Sequence, residues 1–168
     1  MNQKVALVTG AAAGIGAACA RRLAQDGMAV GVLDLDEERC AETVQAIQDA
    51  GGKAVALGAD VSQRDQVFAA VAKLRAALGP VTVLVNNAGV TDFTPFEDIT
   101  DELWDFVYAV NVRGPMLCTQ AVLPDMKAAK WGRIVNISSI SAQTGVGAMI
   151  AYSSSKGAII TMTRSMAQ

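Results

Sequence analysis

The sequence predicts an α/β protein: a parallel sheet, doubly wound, with helices on both faces. Three observations lead there. Short β-branched runs alternate five times with longer segments whose apolar residues recur every three or four positions. The runs are apolar on both faces, as expected of strands covered from two sides. Glycines stand at the junctions between elements. Such alternation calls for right-handed strand–helix–strand crossovers.

The first run is KVALV (4–8), followed by a helical stripe of Ile15, Cys19 and Leu23 that stops at Gly27. The second is MAVGVL (28–33). Asp36, ahead of Glu37 and Glu38, suits a helix N-cap, and Cys40, Val44 and Ile47 make the next stripe before Gly51-Gly52. The third is KAVAL (53–57); Ser62 with Asp65 three residues later has the form of a capping box. Val67, Val71, Leu74 and Leu78 then line a helix ended by Gly79-Pro80. The fourth is VTVLV (81–85), followed by an open stretch from Gly89 to Thr100 and a stripe of Leu103, Phe106, Val107 and Val110. The fifth is RIVNI (133–137), and a last helix begins near Tyr152. No repeat or linker interrupts this order, so residues 1–168 are expected to form one domain.

Composition narrows the function. The 168 residues are 52 % apolar and 18 % charged, a globular balance. A net charge of -2 gives no basic footprint for nucleic acid and no polybasic membrane patch. No run of eighteen apolar residues exists, and the apolar run at the N-terminus is too short for a signal peptide. Cys19, Cys40 and Cys118 are far apart, and the chain has no histidine, so no metal site is expected. The three cysteines read as small buried residues in a reducing compartment, which points to the cytoplasm.

The chemistry gathers at strand ends, where ligands bind in such sheets. The first strand ends in TGAAAGIG, Thr9 to Gly16. Gly10, Gly14 and Gly16 allow a tight turn and let backbone N–H groups approach a pyrophosphate at a helix N-terminus. Their spacing is Gly-x-x-x-Gly-x-Gly rather than Gly-x-Gly-x-x-Gly. Asp34 follows Gly16 by eighteen residues, near the distance of an acid that bonds ribose hydroxyls in a Rossmann-type site. A carboxylate there repels a 2′-phosphate, and the nearest arginine, Arg39, is read as lying inside the next helix. NAD is therefore favoured over NADP. A plain turn and a solvated acid are the competing readings.

Six motifs in order give the chain a resemblance to the short-chain dehydrogenases/reductases, over essentially its whole length. They are TGAAAGIG, Asp60-Val61, NNAG at Asn86 to Gly89, Val110-Asn111, NISS at Asn136 to Ser139, and YSSSK at Tyr152 to Lys156. The resemblance implies a cofactor pocket of Gly10, Gly14, Ile15, Gly16, Asp34, Asp60, Val61, Asn87, Ala88 and Gly89, completed by Tyr152 and Lys156. It implies a catalytic set of Asn111, Ser139, Tyr152 and Lys156, with Ser138 and Ser141 as neighbouring alternatives to Ser139.

Tyr152 and Lys156 are four residues apart and share a helical face. A phenol with a pKa near 10 is a poor base at neutral pH, and a nearby ammonium favours its ionised form. The resemblance implies that Tyr152 exchanges a proton with an alcohol or ketone oxygen that Ser139 also bonds, and that Asn111 holds a water in a relay to Lys156. No histidine is needed.

Family members continue for several tens of residues past the point where this chain stops, in a helix without a stop signal, so the chain reads as truncated at its C-terminus and lacking the family's last strands. The expected reaction is NAD-dependent hydride transfer to or from a secondary alcohol or ketone. The alternatives are an NADPH-dependent 3-oxoacyl thioester reductase and a non-catalytic cofactor-binding or assembly module. Phe93, Phe96, Val146 and Met149 border the expected pocket, and neither flanking stretch (90–100, 140–150) contains Lys or Arg, so a neutral or acyl-chain substrate is favoured. Pairing into a homodimer or tetramer is expected through the helices over 100–128 and 151–168, where Trp104, Met116, Ile159, Ile160, Met162 and Met166 lie beyond a single stripe.

Overall fold

The computed structural model describes residues 3–168. Five strands, β1 (Val5–Thr9), β2 (Ala29–Asp34), β3 (Lys53–Gly58), β4 (Val81–Asn86) and β5 (Arg133–Asn136), form one sheet in the order β3-β2-β1-β4-β5. Every pairing is parallel. Among the described residues, seven α-helices connect or follow the strands: α1 (Gly14–Gln25), α2 (Ala41–Asp49), α3 (Arg64–Leu78), α4 (Asp101–Tyr108), α5 (Gly114–Ala129), α6 (Ser141–Thr144) and α7 (Ile150–Met166). The strand order reverses beside β1, which opens a crevice at the C-terminal ends of β1 and β4.

Period-two alternation divides the core. Val5 and Leu7 of β1, with Leu33, Leu57 and Leu84, pack against Val67, Val71 and Leu74 of α3 and Leu117 and Val122 of α5. Val8, Val30, Val32 and Val85 face the other side, toward Ala20 of α1 and Ile47 of α2. Burying each of these aliphatic side chains stabilises the fold by about 1.5–3 kcal/mol. Cys40 and Cys118 belong to these two layers. Burial pushes the Cys118 thiol up to about 12, so it stays protonated and behaves as a small apolar group. Cys19 is half-buried.

The strands fall within one residue of the expected bounds, but one local expectation holds only in part and another fails. On α1 the fully buried residues are Gly16, Ala17 and Ala20; of the expected stripe, Cys19 and Leu23 are half-buried and pack against the layer of Val8, Val32 and Ile47, while Ile15 does not. Ile15 is 65 % exposed. The helix approaches the sheet so closely that only glycine and alanine fit beneath it, and larger side chains are displaced to its flanks. The capping box at Ser62 does not form: α3 starts at Arg64, and Gln63 at its cap makes no side-chain cap bond. The Asp60 carboxylate instead accepts the Ser62 N–H at 2.8 Å, a tight local turn that delays the helix. Asp36 does cap, accepting the Arg39 N–H at 2.9 Å.

Candidate active site

The β1–α1 turn is stapled to the segment after β4. The Thr9 hydroxyl oxygen accepts the N–H groups of Asn87 (3.1 Å) and Ala88 (3.0 Å). Asn87 Nδ2 donates to the carbonyls of Thr9 and Gly10, each at 3.0 Å. Gly10 adopts φ 62°, a left-handed conformation. A Cβ on Gly16 would stand 2.2 Å from the Gly10 carbonyl oxygen and 2.5 Å from Asn87 Nδ2, so only glycine fits. Ala13, at the N-cap of α1, makes no side-chain cap bond, and the first turn carries no acid. The helix therefore presents unpartnered N–H groups and a positive end to an anion.

Beside this turn lies a cavity of about 600 Å3. Gly10, Asp34, Asp60, Val61, Asn87, Ala88 and Gly89 line it, as do Arg39 and Phe106. Of the residues expected there, Gly14, Ile15, Gly16, Tyr152 and Lys156 do not line the cavity. Gly16 is buried under the turn, and Ile15 is open to solvent.

Asp34 is held in place by backbone. Its Oδ2 accepts the Ala12 N–H at 3.1 Å, and its Oδ1 accepts the Leu35 N–H at 2.9 Å. Arg39 is nearer than its sequence position implies. Its Nη1 comes within 4.0 Å of Asp34 Oδ1, while its Nε pairs with Asp36 at 3.2 Å. The short 3-10 turn Glu38–Cys40 ahead of α2 carries the side chain back over the end of β2.

At the other end of the crevice, side chains from four elements meet. Asn111 lies in a π-helical turn, Ala109–Arg113, between α4 and α5, and is 1 % exposed. Its Oδ1 accepts the Val90 N–H, and its Nδ2 donates to the Val90 carbonyl, both at 2.8 Å. Nδ2 also donates to Ser155 Oγ at 3.0 Å, and Ser155 Oγ donates to the Tyr152 carbonyl at 2.7 Å. Lys156 is buried; its Nζ donates to the Ile137 carbonyl at 2.8 Å and stands 5.7 Å from the centre of the Tyr152 ring. Burial pushes the Lys156 ammonium's pKa down. Gly89 joins this group to the cavity: a Cβ there would meet Asn111 Oδ1 at 3.1 Å and Lys156 Nζ at 3.3 Å.

The three neighbouring serines differ in their commitments. Ser138 donates to the Lys156 carbonyl at 2.9 Å, tying β5 to α7. Ser139 Oγ accepts from Ser141 N (3.2 Å) and Ser141 Oγ (2.9 Å), which leaves the Ser139 proton available to another acceptor. Phe93, Phe96 and Ile140, each at least 70 % exposed, stand on the segments that flank the crevice.

Sequence reasoning missed Thr9, Asp92 and Ser155. Thr9 and Ser155 sit inside quoted motifs, and their small hydroxyls were the available signal. Asp92, 6 % exposed, bonds the Tyr152 N–H sixty residues away, and no local pattern announces it. A second, more open groove of about 740 Å3 runs along β5 beside Trp131, Arg133 and Met166, away from all of these groups. It is larger, and Asn136 Nδ2 donates to Thr163 Oγ1 within it at 2.9 Å, but none of Asn111, Ser139, Tyr152 or Lys156 lines it. Among the described residues, no cluster of His, Cys, Asp or Glu could hold a metal ion, and no helix is long and apolar enough to cross a membrane.

Comparison with known proteins agrees with this architecture. Two solved structures superpose closely. A metagenomic short-chain oxidoreductase in complex with NADP gives a TM-score of 0.93 at 39 % identity, covering 98 % of this chain and 74 % of that one. A short-chain alcohol dehydrogenase, described as putative, from Sinorhizobium meliloti gives 0.95 at 35 % identity, covering 99 % and 66 %. Among curated relatives, the short-chain reductase protein NovJ of Streptomyces niveus is 44 % identical over 99 % of this chain and 63 % of its own length. 2-(S)-hydroxypropyl-CoM dehydrogenase 3 of Xanthobacter autotrophicus is 36 % identical over 99 % and 66 %. A cyclopentanol dehydrogenase of Comamonas is 39 % identical over 99 % and 67 %. The chain thus spans just under two thirds of the length of the first two relatives. The family model for short chain dehydrogenase matches residues 4–168, and the chain belongs to that family.

Proposed function

We propose that the protein is an oxidoreductase that uses NAD to interconvert a secondary alcohol and a ketone, with Tyr152 as general acid/base. The observation that carries this reading is the junction at Gly89, where the nucleotide-sized cavity abuts Lys156 and the Asn111–Ser155–Tyr152 chain. The residues present fit a dinucleotide: an uncapped helix N-terminus for its phosphates, a turn that admits only glycine, and Asp34 for a ribose. When bound, the nicotinamide supplies the hydride acceptor or donor.

The chain's own groups handle the proton. Tyr152 takes it from the alcohol at the phenol oxygen, or returns it to the ketone. Ser139 donates a hydrogen bond to the same substrate oxygen. Lys156 provides a cation beside the ring, and Asn111 holds the Tyr152 turn through Ser155 while positioning a water toward Lys156. Phe93, Phe96, Ile140 and Val146 leave the entrance apolar, which suits a neutral or acyl-chain substrate. Tyr152→Phe tests the assignment: NADH binding persists while turnover falls by about 10²–10⁴. Retained turnover rejects it.

A second reading, an NADPH-dependent 3-oxoacyl thioester reductase, draws support from Arg39. Its guanidinium reaches the Asp34 end of the cavity. Fluorescence titration with NADH and NADPH separates the two. We expect NADH to bind more tightly and Asp34→Ser to narrow the gap by about tenfold, because a carboxylate and a phosphate a few ångströms apart repel by more than that. NADPH preference that is lost in Arg39→Ala favours the second reading. Pairing through α4–α5 and α7 is also proposed, on the exposed Met116 and Met166; Ile159, by contrast, is buried and packs inside the protomer. A monomer by sedimentation argues against pairing. The free cysteines support a cytoplasmic site of action.

A further inference from the structure

One buried acid has no part in the proton chemistry above. Asp92 lies on the segment after β4, where a backbone bridge joins Thr94 to Met149, the residue just before α7. Its Oδ1 accepts the Tyr152 N–H at 3.1 Å. Its Oδ2 is buried and finds no hydrogen-bond partner among the described residues.

We propose that Asp92 is a positioning residue for Tyr152, an inference that rests on the acid/base reading of that tyrosine. The N–H groups of a helix's first turn have no partners within the helix. In α7 the first N–H bonded inside the turn is that of Ser153, which donates to the Met149 carbonyl at 2.8 Å. Met149, at the cap position, makes no side-chain cap bond. The Tyr152 N–H would therefore be orphaned, and Asp92 supplies its acceptor from sixty residues away. A carboxylate at this end also meets the positive pole of the helix.

Tyr152 is thus tied at both ends of its backbone: the N–H by Asp92, and the C=O by Ser155, which Asn111 in turn holds. A serine at position 149 would cap the same turn without burying a carboxylate that is only half satisfied. What a local cap lacks is the link to the Val90–Thr94 segment, which also carries Asn111's partner Val90. The unsatisfied oxygen is the cost of registering the tyrosine against the crevice wall.

The test uses the active enzyme, with NADH affinity and kcat measured separately. Asp92→Ala is expected to lower kcat by about 10²-fold, the scale of an ångström's misplacement, with NADH Kd unchanged. Asp92→Asn keeps a side-chain oxygen for the Tyr152 N–H and is expected to restore most of the lost turnover. Tyr152→Phe, run in parallel, checks the underlying reading. If it retains turnover, the acid/base assignment fails and this proposal with it. If it is inactive while Asp92→Ala turns over normally, positioning alone is wrong. Asp92→Asn as impaired as Asp92→Ala would also overturn the proposal. Should Asp92→Ala fail to bind NADH, amide exchange at Tyr152 in the unmodified enzyme and in Asp92→Asn decides: slow exchange in both supports the clamp, and fast exchange in the unmodified enzyme refutes it.

Discussion

Around Gly10 the crevice is made of backbone. Carbonyls, N–H groups and absent Cβ atoms do the work, with one threonine and one asparagine as staples. Around Tyr152 the same crevice is made of side chains, delivered by β5, α7, the π-turn and the segment after β4. On the proposed function, the first region recognises a shape that many ligands share, a phosphate against a helix end. The second, on the same proposal, holds individual atoms for a proton transfer. Backbone suits the former because it has no rotamers to lose. Side chains suit the latter because each can be aimed separately, though each needs a partner to keep its aim.

Three changes probe this contrast, in decreasing order of effect. Gly16→Val strikes the backbone region. Its Cβ would overlap the Gly10 carbonyl at 2.2 Å, so we expect NADH binding to disappear and stability to fall by about 3 kcal/mol, read by titration and by urea denaturation. Near-normal NADH affinity would mean that the turn has slack and that the contrast is overdrawn.

Asn111→Ala strikes the side-chain region. It strands the Val90 N–H and C=O and takes the donor from Ser155, all at buried or half-buried positions. We expect a loss of about 2–3 kcal/mol, with turnover reduced more than NADH affinity. Equal losses in both would show that the two regions are not separable.

Lys156→Met gives the smallest and most diagnostic effect. Burial lowers the Lys156 pKa below its ordinary 10.5, so between the lowered value and 10.5 the unfolded chain binds more protons than the folded one. The native protein therefore gains stability relative to Lys156→Met as pH rises through that window. Below it, the native protein carries the full cost of a buried ammonium. Denaturation of both proteins at pH 7 and pH 10 reads the difference, and a gap that stays constant shows that the ammonium is not appreciably desolvated.

The same contrast explains what could be read from the sequence. The strands were legible because both-face burial leaves uninterrupted β-branched runs, as in VALVT and VTVLV. The place of Gly10, Asp34 and Asn87 on the cavity was legible because they stand at or just after strand ends, where such a sheet opens its crevice. The α1 stripe held for Cys19 and Leu23 but not for Ile15, because the centre of the core face is glycine and alanine, which hydrophobic periodicity does not weigh. Arg39 was misjudged because a 3-10 turn, invisible to spacing rules, redirects it toward Asp34. Asp92 was silent because the only described partner of its side chain is sixty residues away.

The π-turn at Ala109–Arg113 has a consequence for helix phase. An added residue in an α-helix advances everything beyond it by about 100° around the axis. Here the turn lets α4 direct Val107 inward on one bearing while α5 directs Leu117 and Val122 at the sheet on another, with Asn111 at the break. Removing one residue from this turn would leave a regular helix of sound local geometry. It would also swing α4 out of register with α5 by more than a quarter of a revolution, so that the wall of the crevice would face solvent.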